Sequence, residues 1–199
     1  MAEENKIVDA LQVLESLGMP RAQKNERSAL CLLALLDLKN GQPWSDAASP
    51  LVGITPMMEF ARDHYDKQYA PNSRETFRRQ TIHQLVAAGI ALYNPDDPAR
   101  PVNSPKAVYQ IEADTLALLR SFGTSAWTKN LAKYRRSASE RDMKRLPVKL
   151  ATGESIRLSP GAHSMLIKAI IEEFAPRFVP GGVLIYAGDT GAKWGYFDK

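Results

Sequence analysis

The chain has 199 residues, 44% of them hydrophobic and 24% charged, which suits one large or two small folded domains. No apolar run approaches the roughly 18 residues of a membrane span, and the acidic start MAEENKIVDA lacks the basic and apolar parts of a signal peptide. One cysteine excludes an internal disulfide and an all-cysteine zinc site, three histidines show no metal-ligand spacing, and the net charge of +4 is a mild basic bias compatible with a polyanion.

Helical periodicity governs the first three quarters. Ile7, Ala10, Leu11, Leu14 and Leu17 recur at three and four residues, and Gly18 and Pro20 close that helix. A second helix from near Gln23 carries Leu30, Leu33, Ala34, Leu36 and Leu38, apolar almost all round, which predicts the core helix. Cys31 sits in that run and reads as packing rather than as a reactive thiol. Residues 40–53 read as a loop from their Pro, Gly, Ser and Asn. Thr55-Pro56 suits the cap and first position of a third helix running to about Lys67. Pro71 breaks the chain, and Asn72 with Glu75 has capping-box spacing. The fourth helix is expected over 73–88, stopped by Gly89.

After Gly89 the pattern changes. Residues 91–93 (ALY) form a short strand candidate, NPDDPARPVNSP is a loop by its four prolines, and 107–111 alternates and can pair with the first strand. Three helices followed by a two-stranded ribbon is the order of a winged helix-turn-helix. Helices resume over 114–121 and about 125–144. A second region opens at Leu146, where 148–150 and 155–158 flank the turn Thr152-Gly153. Ser159-Pro160 begins another helix, with Met165, Ile167, Ile170, Ile171 and Phe174 on its inner face and Pro176 at its end. The run VLIYA at 183–187 reads as a strand buried on both faces, followed by Gly188, Asp189 and Thr190.

On a helical wheel of 73–88, Phe77, Thr81, Leu85 and Ala88 fall together, with Ile82 beside them. The other side collects Ser73, Thr76, Arg79, Gln80, His83 and Gln84, short or planar donors and acceptors rather than a Glu/Lys mixture. Arginine can pair with the guanine edge and glutamine with adenine in the major groove. Arg79, Gln80 and His83 are therefore the expected base readers, and Ser73, Arg74, Thr76 and Arg78 the expected backbone contacts. Arg74 and Arg78 project toward the apolar side, where Glu59 or Asp63 offers a partner. The spacing alone fits a solvated amphipathic helix equally well, and the ribbon that follows favours DNA. His64 and His163 read as structural.

Residues 129–149 hold eight basic residues against Glu140 and Asp142, an excess larger than the whole chain's +4. The basicity is thus local. Lys133, Arg135 and Arg136 are candidates for phosphate contact by counterion release, with Trp127 and Tyr134 interleaved. A solvated face with aromatic anchors is the plainer alternative.

At the carboxyl end, Glu172-Glu173 precedes the strand that leads to Asp189. Metal-dependent PD-(D/E)xK nucleases carry acids in such places, although a glutamate pair on a helix ordinarily faces solvent. Longer blocks are more specific: YAPNSRETFRRQTIHQ (69–84), RLPVKLATGESIRLSPGAHSML (145–166), EEFAPRFVPGG (172–182) and VLIYAGDTGAKWGYFD (183–198). In order from about Gly18 to the last residues, the chain resembles the N-terminal part of the BsuBI/PstI family of type II restriction endonucleases.

The resemblance implies a homodimeric, Mg²⁺-dependent enzyme that cuts double-stranded DNA at the palindrome CTGCAG. It would work in a bacterial or archaeal cytoplasm beside an adenine methyltransferase. The implied fold is mainly α with small β (α+β): a winged helix-turn-helix-like helical domain over 1–145, then over 146–199 the beginning of a PD-(D/E)xK-like nuclease α/β domain. A two-fold site matches a two-fold protein. Glu173 and Asp189 carry over as edge residues of the catalytic site. The family's Pro-Asp and Glu-bearing strands are not found before Lys199, so the expectation for these 199 residues is DNA binding with little or no cleavage. The competing expectation is a non-enzymatic winged-helix transcription regulator.

Overall fold

The leucine run of the second helix is the centre of the first half of this computed structural model. The structure describes residues 6–101, 104–143, 146–158, 162–182, 184, 186–187 and 194–195. They divide into two compact units, Met1–Arg135 and Arg136–Lys199.

In the first unit, α2 (Glu26–Leu35) buries every residue from Ser28 onward, so it has no solvent face to cover. Asn25 caps it, its side chain accepting from the Ser28 amide at 3.0 Å, so the helix starts three residues after Gln23. α1 (Lys6–Ser16) lays Ala10, Val13 and Leu14 against α2, and Gly18 ends it at a φ of +80°. Lys6 is buried over the Trp44 ring, whose Nε1 donates to Asp9 at 3.1 Å. α3 (Ile54–Tyr65) also packs on α2. Its cap is Gly53, not Thr55, and Asp66 closes it in the left-handed region.

A helical stretch follows in pieces: a 3₁₀ turn Pro71–Ser73, α4 (Arg74–Phe77), a π turn Arg78–Ile82, and α5 (His83–Ala87). The expected capping box does not form. Ser73 occupies the cap position of α4 without a side-chain hydrogen bond, and Glu75 turns to Arg78 and Arg79. Phe77, Thr81, Ile82 and Leu85 are buried, as the wheel requires, but Ala88 is exposed. Ala88 is the C-cap, past the last residue of α5, so the helix face does not carry it inward.

Gly89 at φ +71° turns the chain into β1 (Ala91–Tyr93), which pairs antiparallel with β2 (Tyr109–Ile111) in the register Leu92 to Gln110. Val52 adds a single bridge to Tyr109, with N–H···O distances of 2.8 and 2.9 Å, tying the 48–53 loop to the ribbon. The loop between the strands is braced at its neck. Asn94 and Val108 exchange hydrogen bonds at 2.8 and 3.0 Å, and Arg100 bonds Asp96 and the Asn94 side chain. α6 (Ala113–Leu119) then precedes α7 (Trp127–Met143), where Phe122 bridges the Trp44 and Trp127 rings at 4.9 Å each.

In the second unit, β3 (Leu146–Lys149) and β4 (Ser155–Leu158) form a hairpin that turns at Gly153. Val148, Leu150, Ile156 and Leu158 are buried beneath Ile167, Ile171 and Leu184. The helical stretch opposite comprises α8 (Ala162–Ala169), a second π turn Ile170–Phe174, and α9 (Ala175–Phe178). It corrects two expectations. Pro176 sits in the first turn of α9, directly after the π turn, rather than ending the helix. Met165, Ile170 and Phe174 are exposed, because the hairpin meets only the side bearing Ile167 and Ile171. β5 (Tyr186–Ala187) pairs antiparallel with β6 (Trp194–Gly195), a strand that periodicity does not signal. Of the VLIYA run and its turn, Val183, Ile185, Gly188, Asp189 and Thr190 lie outside the described residues, as do Ser159 and Pro160.

Candidate nucleic-acid interface

Residues 74–87 stand on a buried strip and present a polar outer face. Phe77 packs edge-on against Tyr69 at 4.8 Å, and Arg27 on α2 donates to the Thr81 hydroxyl at 2.8 Å. These anchors fix the helix so that Arg74, Arg79, Gln80 and Gln84 face solvent. The Arg79 side chain is 70% exposed. The Gln84 amide donates to the Arg79 carbonyl at 3.3 Å. Ser73 and Thr76 are half-buried.

The arginines are not paired as the wheel suggests. Arg78 grips Glu75 side-on, with Nε to Oε2 at 3.0 Å and Nη2 to Oε1 at 2.9 Å, and Arg79 donates from Nε to the same Oε1. Arg78 therefore takes Glu75, not Glu59 or Asp63, and Asp63 is held by its neighbour Arg62 at 2.6 Å. The Arg78 hydrogen bond, reinforced by that of Arg79, draws the Glu75 carboxyl down to about 2. This clamp was readable as Glu75 with arginines three and four residues on.

His83 turns differently. It is half-buried, 3.4 Å from the Tyr109 hydroxyl and with ring centroids 6.3 Å from Tyr93 and Tyr109. It joins the helix to the ribbon rather than standing with Arg79 and Gln80. Burial raises the Tyr109 hydroxyl to about 12, so it remains protonated. Between the start of this helix and the segment entering β2 lies a cleft of about 520 Å³, lined by Arg74, Glu75 and Arg78 on one side and Ser104, Pro105 and Ala107 on the other.

On α7, Lys133, Arg135 and Arg136 are all exposed. Arg135 donates to the Ser16 carbonyl at 2.7 Å and Tyr134 lies 2.9 Å from the Thr115 hydroxyl, so part of this helix is anchored rather than free. Lys144 and Arg145 lie outside the described residues.

Residues 4–141 match the family model for the BsuBI/PstI restriction endonuclease HTH domain, and residues 146–199 that for the BsuBI/PstI restriction endonuclease domain. The chain belongs to the BsuBI/PstI restriction endonuclease family. Within that family it is 60% identical over 203 residues to the type II restriction enzyme BsuBI of Bacillus subtilis, the alignment covering 98% of this chain and 64% of that one. It is 34% identical over 201 residues to the type II restriction enzyme AplI of Arthrospira platensis, covering 97% and 62% respectively. The structure of SdaI restriction endonuclease matches with a TM-score of 0.63 at 36% identity, over 94% of this chain and 61% of that one. The chain thus spans less than two thirds of the length of these relatives. Family membership disfavours the regulator, which has no use for an endonuclease domain over 146–199.

The acids carried over for catalysis fare unequally. Glu173 is exposed on the second π turn, while its neighbour Glu172 accepts the Lys149 amide at 2.8 Å and lies 3.6 Å from Lys168. Asp189 lies outside the described residues. Among the described residues no three His, Cys, Asp or Glu side chains come together as a metal site, so they do not by themselves fit a catalytic ion. No described helix is long and apolar enough to cross a membrane.

Proposed function

We propose that this chain is the DNA-reading part of a type II restriction endonuclease. Residues 74–87 enter the major groove, and the β1–β2 loop acts as a wing on the adjoining backbone. The observation that carries this is the outward face of Arg74, Arg79, Gln80 and Gln84 on a helix whose other side is locked by Phe77, Thr81 and Leu85, inside the region matching the family's HTH domain. Arg79 and Gln80 read bases. Ser73, Arg74, Thr76 and Arg78 hold the backbone, and Lys133, Arg135 and Arg136 add phosphate contacts. His83 aligns the helix with the ribbon through Tyr109.

By family resemblance the site is CTGCAG, met by a homodimer whose two-fold axis matches the palindrome. By the same resemblance the whole enzyme would need Mg²⁺, which the described residues of this chain do not by themselves hold. By the same resemblance Glu173 and Asp189 are candidate residues for the edge of the catalytic site. A methyltransferase acting on the same site protects the host, and the substrate sets a cytoplasmic place of action.

Fluorescence anisotropy of the 199-residue chain with a CTGCAG duplex and a scrambled duplex, at two salt concentrations, tests the reading. The CTGCAG complex should survive the higher salt and the scrambled one should not. Equal loss of both would overturn base reading. Sedimentation of the chain with and without the duplex tests the dimer.

A further inference from the structure

Glu75 is an acid in the middle of a face expected to meet a polyanion, and its carboxylate is about half exposed. An acid there opposes DNA binding unless it serves the arginines. Its geometry shows how it serves them. Arg78 spends its Nε and Nη2 on the two carboxylate oxygens, whereas Arg79 is held through Nε alone. The end-on edge of Arg79, formed by its two terminal nitrogens, takes no part in that contact.

We propose that Glu75 is a specificity-determining residue that acts through Arg78 and Arg79. It offsets one of their two charges, weakening attraction to phosphate on any sequence, and it holds Arg79 with its end-on edge outward for a base. The inference rests on the reading of 74–87 as the DNA-reading segment.

Two physical effects point the same way. Non-specific affinity follows the number of cations free to displace counterions, so Glu75 lowers it. Base readout depends on a donor pair already aimed at the acceptors, and guanine O6 and N7 match two parallel N–H groups. Phosphate can also accept two such bonds, so geometry alone does not discriminate. Lowering the charge while fixing the direction does, because a base edge rewards direction and a phosphate chiefly rewards charge.

Glu75→Gln keeps the shape of the side chain and removes its charge. In the 199-residue chain, anisotropy with the CTGCAG and scrambled duplexes should give scrambled-duplex binding tighter by about fivefold at low salt. Its slope of log K against log salt should steepen by about one. The ratio between the two duplexes should narrow. In an Arg79→Ala background the same substitution should have a smaller effect, which a merely helix-stabilising pair would not produce. A thermal melt confirms that the variant is folded. If the native chain binds duplex and Glu75→Gln shifts neither affinity, or both by the same factor, the role of Glu75 is overturned while the DNA-reading segment stands. Failure of the native chain to bind either duplex overturns the reading of 74–87 and this inference with it.

Discussion

Arg27 on α2 donates its Nε to the Thr81 hydroxyl at 2.8 Å, joining the core helix to the π turn of the 74–87 segment. Thr81 is fully buried, so its hydroxyl needs this partner. Thr81→Val keeps the volume and removes the acceptor, leaving a partly buried guanidinium with one donor unmet. We expect a loss of about 1–3 kcal/mol of folding stability in urea titration. An unchanged midpoint would mean that the contact is dispensable to the fold.

Base and backbone contacts separate by their salt behaviour. Arg79→Ala should cost the CTGCAG complex about 1–3 kcal/mol and leave scrambled binding much less affected. Lys133→Ala and Arg136→Ala should weaken both duplexes alike and lower the salt slope by about one each. A Lys133 variant that changes discrimination but not slope would contradict its assignment to phosphate.

The clamp on Glu75 has a pH signature. Its folded pKa of about 2 lies below the usual carboxylate value of 4.5, through the Arg78 and Arg79 hydrogen bonds. A depressed acid stabilises the fold above its unfolded pKa, and that contribution fades as pH falls through the folded value. The Glu75 carboxyl carbon should therefore titrate in NMR with a midpoint near 2, and the pH dependence of DNA binding between about pH 5 and 8 should carry no contribution from Glu75 protonation. A midpoint near 4.5 would show the clamp to be open in solution.

The sequence exposes what depends on near neighbours and conceals what depends on local competition. Leu30 to Leu35 announce the core helix because no partner could change the sense of so apolar a run, while Leu36 and Leu38 are buried just past its end, where Asp37 turns to a φ of +45°. The β1–β2 ribbon follows from strand-length apolar pieces either side of a proline loop, and the register of Leu92 with Gln110 needs nothing more. At Glu75 a capping box and an arginine clamp use the same spacing, and two guanidiniums one turn away outcompete a single amide. His83 follows directly on the π turn at Arg78–Ile82, which a wheel of 3.6 residues per turn does not contain, and Ala88 lies past the end of α5, where the wheel no longer applies. Met165 and Phe174 read as core because apolar periodicity reports a helix face without saying what covers it.

Phe77 tests whether the polar face depends on the apolar one. It is fully buried and meets Tyr69 edge-on at 4.8 Å. Phe77→Ala should cost about 3–5 kcal/mol through lost transfer energy and the cavity left behind. Phe77→Leu fills most of that space and should cost clearly less. If Arg79 reads DNA from a platform set by Phe77, the leucine variant should keep its discrimination between duplexes once folded.

Cys31 provides an independent probe of the same core. It is 1% exposed on α2, and burial pushes its thiol up to about 12, against a smaller opposing pull from Arg27. Thiol exchange requires both thiolate and access, and the native fold withholds both. Ellman's reagent should react at least about 100-fold more slowly with the native chain than with the chain in denaturant. Because α2 is enclosed by α1 and α3, the native rate should rise with urea as that packing opens, in step with the stability lost in Thr81→Val. Rapid native labelling, insensitive to urea, would show that α2 is reachable without unfolding and would contradict the central place given to it.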